Sequence, residues 1–276
     1  MFRVRFWGVR GSIPTPGPAT VEVGGNTSCV EVRIGDRLII LDGGTGLRLL
    51  GQQLLEQPPR TASIFFSHVH WDHIQGFPFF APAFVPGFRF EIHGGKNLSS
   101  TLSETLAGQM NFPNFPVTID QMAATMSFQL FDDGQRVDVG GGVTVRGLML
   151  NHPDGVYGYR IEHAGRAIAY CTDTEHRDRP DEHVLELAAG AELLIYDAQY
   201  LPEEYTGLDG RPGKQGWGHS TYVEGSRLAE LSGAKRLVLF HHDPAHDDAT
   251  VAALEHRCRE LFPASEAARE GLVIEA

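Results

Sequence analysis

A chain of 276 residues with 42% apolar and 21% charged content can bury one generous core and has the balance of an ordinary globular protein. Its formal net charge of −12 excludes broad, sequence-independent nucleic-acid binding, which needs basic surface, but leaves small phosphorylated substrates open because bound divalent cations can reverse the sign of a site. No stretch approaches the roughly 20 apolar residues that cross a bilayer, and Cys29, Cys171 and Cys258, odd in number and widely spaced, suit a reducing cytoplasm better than a disulfide framework.

The opening Met-Phe-Arg-Val-Arg-Phe-Trp reads as a strand over residues 3–7, without the charged-then-apolar order of a leader. A Pro- and Gly-rich stretch, 11–25, is too long for a simple turn and reads as an ordered, functional loop. Short apolar runs closed by Gly, Asp or His then predict strands over 29–34, 37–41, 63–66 and 88–92, with helices over 47–55 and 99–108. Residues 106–125, centred on Asn111-Phe112-Pro113-Asn114-Phe115-Pro116, read as a partly packed loop, either a lid or a surface connection. Further strands are predicted over 127–131, 143–150, 157–162, 167–170, 193–196 and 236–240, with helices over 180–189, 222–232 and 249–261, the last capped by Asp247-Asp248. Two strand-rich halves, each with helices and no linker between them, predict two sheets packed face to face, covered by helices, in a single domain spanning 1–276.

Chemistry concentrates at Ser67-His68-Val69-His70-Trp71-Asp72-His73, directly after the apolar run Ile64-Phe65-Phe66. Four ligand-type side chains within six positions at a strand end converge on a common centre, and imidazole with carboxylate suits zinc, manganese or iron. These four cannot fill two metal shells alone. Other strand ends offer His152 after 143–150, Asp173 after 167–170, and His241 or His242 after 236–240. Each stands in the same relation to its strand as His68 does.

The order His-x-His-x-Asp-His, then His152, Asp173 and His241, resembles the metallo-β-lactamase superfamily. Asp42-Gly43-Gly44-Thr45-Gly46, Gly218-His219-Ser220-Thr221 and the opening segments 8–16 and 25–28 match its ribonuclease Z-like, phosphodiesterase branch better than its lactamase branch. The resemblance implies an αββα sandwich of two mixed sheets with two divalent metals, zinc by default and manganese or iron as alternatives. It implies that His68, His70 and His152 hold one metal, that Asp72, His73 and His241 hold the other, and that Asp173 bridges them. His241 is preferred to His242 because the family's ligand falls two residues after the last aliphatic residue of the strand.

The catalytic set expected is Asp72, Asp197 and His219. His219 would protonate the leaving group, since imidazole titrates near working pH, and Asp197 would orient it. Tyr196-Asp197-Ala198-Gln199 stands where the tRNA-processing members carry His-Glu-Ala-Thr. Asp42 is read as orienting a ligand histidine or making a turn, Asn26 as lining the pocket or stabilising a turn, and Trp71 as a pocket wall or a packing residue. His93, His163, His176, His183, His246 and His256 are read as surface or satisfied structural residues, and the three cysteines as buried thiols.

The leading function is hydrolysis of a small phosphodiester, a cyclic nucleotide or other cyclic phosphate first among the candidates, by a cytoplasmic enzyme with no membrane partner and no long nucleic-acid partner, and with a homodimer among the expected states. The alternatives are a tRNA 3′-processing endonuclease, which would carry a basic protruding arm; a lactamase or thioesterase, which would not need Asp197 and His219; and a metal-binding sensor module without turnover.

Overall fold

The structure is a computed structural model describing residues 1–56, 60–96, 102–208 and 210–276. The first sheet is built from β1 (Arg3–Gly8), β2 (Cys29–Ile34), β3 (Arg37–Leu41), β4 (Thr61–Phe65), β5 (Arg89–Gly95) and β6 (Thr125–Phe131). The second holds β7 (Arg136–Gly140), β8 (Val143–Leu150), β9 (Val156–His163), β10 (Arg166–Cys171), β11 (Leu193–Asp197), β12 (Leu237–Phe240) and β13 (Ser265–Ala267). The last strand, β14 (Val273–Glu275), returns to the first sheet beside β1. Both sheets are mixed: β3, β4, β5 and β6 run parallel in one, and β10, β11, β12 and β13 in the other.

Register explains why the strands read as continuous apolar runs. Ile39 and Leu41 of β3 face the core between the sheets, while Leu38 and Ile40 face the outer layer. In the second sheet Leu193 and Ile195 point inward, and Leu194 and Tyr196 outward. A strand buried on both faces cannot alternate apolar with polar residues. Outside the first sheet lie α1 (Gly46–Glu56), the short α2 (Trp71–Ile74) and α3 (Leu102–Gly108); outside the second lie α4 (Glu182–Ala188), α5 (Pro202–Thr206), α6 (Tyr222–Ser232) and α7 (Asp248–Leu261). This is the αββα sandwich that the strand order predicts. Among the described residues, no helix is long and apolar enough to cross a membrane.

Several elements depart from the sequence reading. The strands β7, β13 and β14 are short and partly polar, so they carry no apolar run, and α2 and α5 are too short to show a helical period. Residues 99–101 of the helix expected over 99–108 lie outside the described residues, and α3 starts at Leu102. In the 106–125 segment Leu106 and Met110 are buried, Gln109 Nε2 donates to the Ile74 carbonyl at 3.2 Å, and Phe115 meets Phe79 edge-on at 5.4 Å. The segment is docked beside the end of α2, and Phe112 is its one large apolar side chain left exposed.

Candidate metal centre

The antiparallel pairings of β8 with β9 and of β9 with β10 make β8 co-directional with β10, β11 and β12, so the carboxyl ends of these four strands lie at one edge. From that edge come His152, Asp173, Asp197 and His241. The matching edge of the first sheet supplies Asp42 after β3 and His68, His70, Asp72 and His73 after β4. Ligand sites of open sheets form outside carboxyl ends for the same reason: the strands stop and their side chains converge.

Three donor groups result among the described residues. His68, His70 and His152 form the first; Asp72, His73, Asp173 and His241 form the second; and Asp173 and His241 recur with Asp197 and His219 in a third that overlaps it. In the second, His73 Nε2 lies 3.2 Å from His241 Nε2, 3.3 Å from Asp72 Oδ2 and 3.2 Å from Asp173 Oδ1. His241 Nε2 lies 3.1 Å from Asp72 and 3.3 Å from Asp173. In the first cluster His152 Nε2 is 3.3 Å from His70 Nδ1. The other oxygen of Asp173, Oδ2, is 3.6 Å from His68 Nε2, so this carboxylate presents one oxygen to each cluster. His242, by contrast, is turned away, with its Nε2 paired to the Ala268 carbonyl at 3.0 Å.

The donor set fits divalent cations. Buried His68 Nε2 has no hydrogen-bond partner and faces the Asp173 carboxylate at 3.6 Å, a donor atom aimed into the cluster. Each remaining imidazole commits its other nitrogen to an outer partner, which sets the tautomer. His73 Nδ1 donates to Asp42 Oδ2 at 2.9 Å, His241 Nδ1 to Gln199 Oε1 at 2.9 Å, His152 Nδ1 to the Gly218 carbonyl at 3.0 Å, and His70 Nε2 faces Asp154 Oδ2 at 3.2 Å. Outer partners of this kind orient metal-binding histidines and raise their basicity. Asp42 also accepts from the Ser67 amide, the Ser67 hydroxyl and the Tyr170 hydroxyl, so its place is behind His73 and not in a simple turn.

Charge is arranged to match. Burial works to raise Asp72 and Asp173, but the neighbouring His73 and His241 outweigh it and hold both carboxyls well below the usual carboxylate range. Burial and the adjacent His73 push His68 well down, so it offers a lone pair. Backbone strain concentrates here too: of the five non-glycine residues with positive φ among those described, Ser12, Asp42, Asp173 and His241 belong to this edge, at 64°, 62°, 51° and 63°. Such conformations cost on the order of 1–3 kcal/mol each and persist where surrounding structure over-determines them.

Beside the clusters, His219 Nδ1 lies 2.8 Å from Asp197 Oδ2. Its ring is 5.5 Å from that of His152 and 5.0 Å from that of His241, so it stands against one histidine from each cluster. Burial opposes its protonation, but Asp197 prevails and pushes it up to about 9.

Several residues that shape the edge escape sequence reasoning. Gln199 holds His241, the Ser12 amide donates to Asp72 Oδ2 at 2.6 Å, and Gly11 is packed so tightly that a Cβ there would lie 2.5 Å from His241. Glu175 accepts from the amides of Gly216 and Gly218 and from the Tyr205 hydroxyl. Asn26 is committed to Glu270 through its amide and its side chain, which makes it a structural residue and not a pocket lining. Trp71 is 78% exposed and so packs little. His246 pairs with Glu204 as a structural histidine should, whereas His93 corrects the general reading: it is buried with neither ring nitrogen bonded. The three cysteines are free and buried, as expected.

Comparison with known proteins follows the same lines. A family model described as "Beta-lactamase superfamily domain" matches residues 37–242. Ribonuclease BN of Cronobacter sakazakii is 24% identical over 290 residues, covering 86% of this chain and 89% of its own. Ribonuclease BN of Escherichia coli O6:K15:H31 is likewise 24% identical, over 84% and 87%. Among solved structures, the metallo-β-lactamase fold protein YhfI of Bacillus subtilis superposes with a TM-score of 0.74 at 20% identity, over 100% of this chain and 99% of its own. A diphosphatase from the PhnP family gives 0.71 at 18% identity, over 100% and 98%, and human tRNase Z, short form, 0.70 at 20% identity, over 99% and 98%.

Proposed function

Because the chain belongs to the metallo-β-lactamase superfamily and is a metal-dependent hydrolase, we propose that it is a dinuclear phosphodiesterase acting on a small phosphodiester, with a cyclic nucleotide or other cyclic phosphate as the substrate class. His68, His70 and His152 would hold one ion, Asp72, His73 and His241 the other, and Asp173 would reach both. When bound, the two ions supply Lewis-acid stabilisation of the phosphoryl oxygens and a more acidic water.

The observation that carries the reading is the Asp197–His219 pair at 2.8 Å, set against both clusters. Displacement at phosphorus leaves charge on a departing alkoxide, which is a poor leaving group until protonated. His219, fixed through Nδ1 by Asp197, keeps Nε2 for delivering that proton, and general acid catalysis of this kind contributes roughly 10²–10⁴-fold. Asp197 is itself fixed, its Oδ1 accepting the Gln199 amide at 3.0 Å and the Ser220 amide at 3.3 Å, which leaves Oδ2 to hold the His219 ring. We place the enzyme in the cytoplasm, where three free thiols are stable.

The ribonuclease BN relatives favour a second reading, cleavage of RNA, of which processing of tRNA 3′ ends is the form weighed from the sequence motifs. The net charge of −12 opposes it, since a long polyanion is gripped by basic surface. Rates on metal-loaded protein with bis(p-nitrophenyl) phosphate, cyclic nucleotides, precursor tRNA and nitrocefin separate the readings. The small diesters should turn over fastest. Site-specific tRNA cleavage at a higher kcat/KM would favour the second reading, and phosphodiester inactivity with rapid nitrocefin cleavage would overturn both.

A further inference from the structure

A narrow groove of about 300 Å³ opens beside the loop that leads into His219, lined by Arg211, Lys214, Trp217, Glu204 and Asp243 among others. That volume is at the small end of ligand pockets, enough for one ring system. The buried Tyr200 ring stands between it and the candidate proton donor: that ring lies 5.8 Å from the ring of His219, and Lys214 Nζ stands 5.7 Å from it and 4.2 Å from the ring of Trp217. Although Lys214 occupies one face, the Trp217 indole is still 59% exposed. A large aromatic surface left in water next to a reaction centre is a binding platform when something of matching shape can cover it.

The rim carries both signs. Glu204 is paired with His246 and caps the Leu201 amide, Asp243 caps the Ala245 amide, and Arg211 and Lys214 supply cations. Two acids beside the groove disfavour a second phosphate, whereas a neutral ring whose edge both donates and accepts hydrogen bonds suits a rim of both signs. The Tyr200 ring stands between the groove and His219, so the part of a substrate that reaches the groove is the part bonded to the oxygen that His219 would protonate.

We propose that this groove is a subsite for a nucleobase on the leaving side of the phosphodiester, stacked on Trp217. The proposal rests on the phosphodiesterase reading and names the substrate class within it. In a cyclic nucleotide the departing oxygen and the base belong to one nucleoside, so the phosphorus can sit at the metals while the base sits on Trp217.

The test compares adenosine 3′,5′-cyclic monophosphate with the same cyclic phosphate bearing hydrogen in place of the base, two substrates with closely similar leaving oxygens. Wild-type kcat/KM should favour the base-bearing compound by roughly 5- to 150-fold, the range found for base–aromatic stacking on alanine substitution. That preference should vanish in Trp217→Ala and Trp217→Leu and be kept in Trp217→Phe. Separately, adenosine 5′-monophosphate, but not ribose 5-phosphate, should quench tryptophan emission saturably, and Trp217→Phe should abolish the effect. Equal losses on both substrates in Trp217→Ala, or no base preference in the wild type together with no quenching, would overturn the subsite while leaving the phosphodiesterase standing. Saturable quenching in a protein that cleaves no phosphodiester would overturn the phosphodiesterase and leave the subsite standing.

Discussion

The Glu175 carboxylate accepts the Gly218 amide at 2.9 Å, and the Gly218 carbonyl in turn accepts His152 Nδ1 at 3.0 Å. Glu175 sits two residues after Asp173, its amide donates to the Asn151 carbonyl, and its second oxygen accepts the Gly216 amide. One carboxylate therefore fastens together the segments that carry His152, Asp173 and His219. Glu175→Gln keeps the shape but loses an acceptor oxygen, and hydrogen bonds to charged groups contribute about 1.5–3 kcal/mol. The expected outcome is a fall in kcat of at least tenfold with little change in KM and unchanged metal content. A kcat at the wild-type level would show that the loop holds itself.

Removing the proton donor should depend on what leaves. His219→Ala is expected to lower kcat by roughly 10²–10⁴-fold on a diester with an alkoxide leaving group. With a p-nitrophenolate leaving group, which needs little protonation, the loss should be far smaller. Asp197→Asn should follow the same pattern with a smaller loss. Steady-state rates on both substrate types, with metal content measured in parallel, check this. A full rate on the alkoxide substrate with metals bound would remove His219 from the reaction.

Much of this architecture was legible along the chain because its strands are buried on both faces and so appear as uninterrupted apolar runs. The ends of those runs also marked Asp42, His152, Asp173 and His241. The outer partners were not legible, because they arrive from far away in sequence. Gln199 meets a ring 42 residues on, Gly218 meets a carboxylate 43 residues back, and Ser12 reaches Asp72 through a backbone amide that its own side chain says nothing about. The positive φ of Asp173 and His241 is also silent in the sequence, since neither residue type demands it. Gly218 shows the limit best: its φ is +89° and a Cβ there would lie 2.3 Å from His152 Nδ1, yet in sequence it is one glycine among 32.

Gln199 provides a direct measure of what an outer partner does. With its Oε1 removed, the His241 ring loses the hydrogen bond that fixes its tautomer. Gln199→Ala should weaken the metal at the Asp72–His73–His241 cluster by about 10–100-fold, as loss of such partners commonly does. Competition with a chelator should show one of two ions released early while the His68–His70–His152 site is retained. Simultaneous loss of both ions, or of neither, would contradict the separate holding of the two clusters.

His93 links the buried core to acid stability. It is buried, stacks on Phe65 at 4.4 Å, has neither ring nitrogen bonded, and burial lowers it to about 4. The unfolded chain takes up that proton near pH 6.5, so between about 6.5 and 4 the unfolded state binds more protons than the folded one. Stability on account of this residue is therefore full above pH 6.5 and falls as pH drops through that window, by about 2–3 kcal/mol at its lower end. His93→Phe keeps a flat ring against Phe65 and removes the proton. Denaturant unfolding of metal-free protein should show the variant gaining on the wild type steadily from pH 6.5 to 4, and a difference that stays constant across that range would show that His93 does not titrate on unfolding.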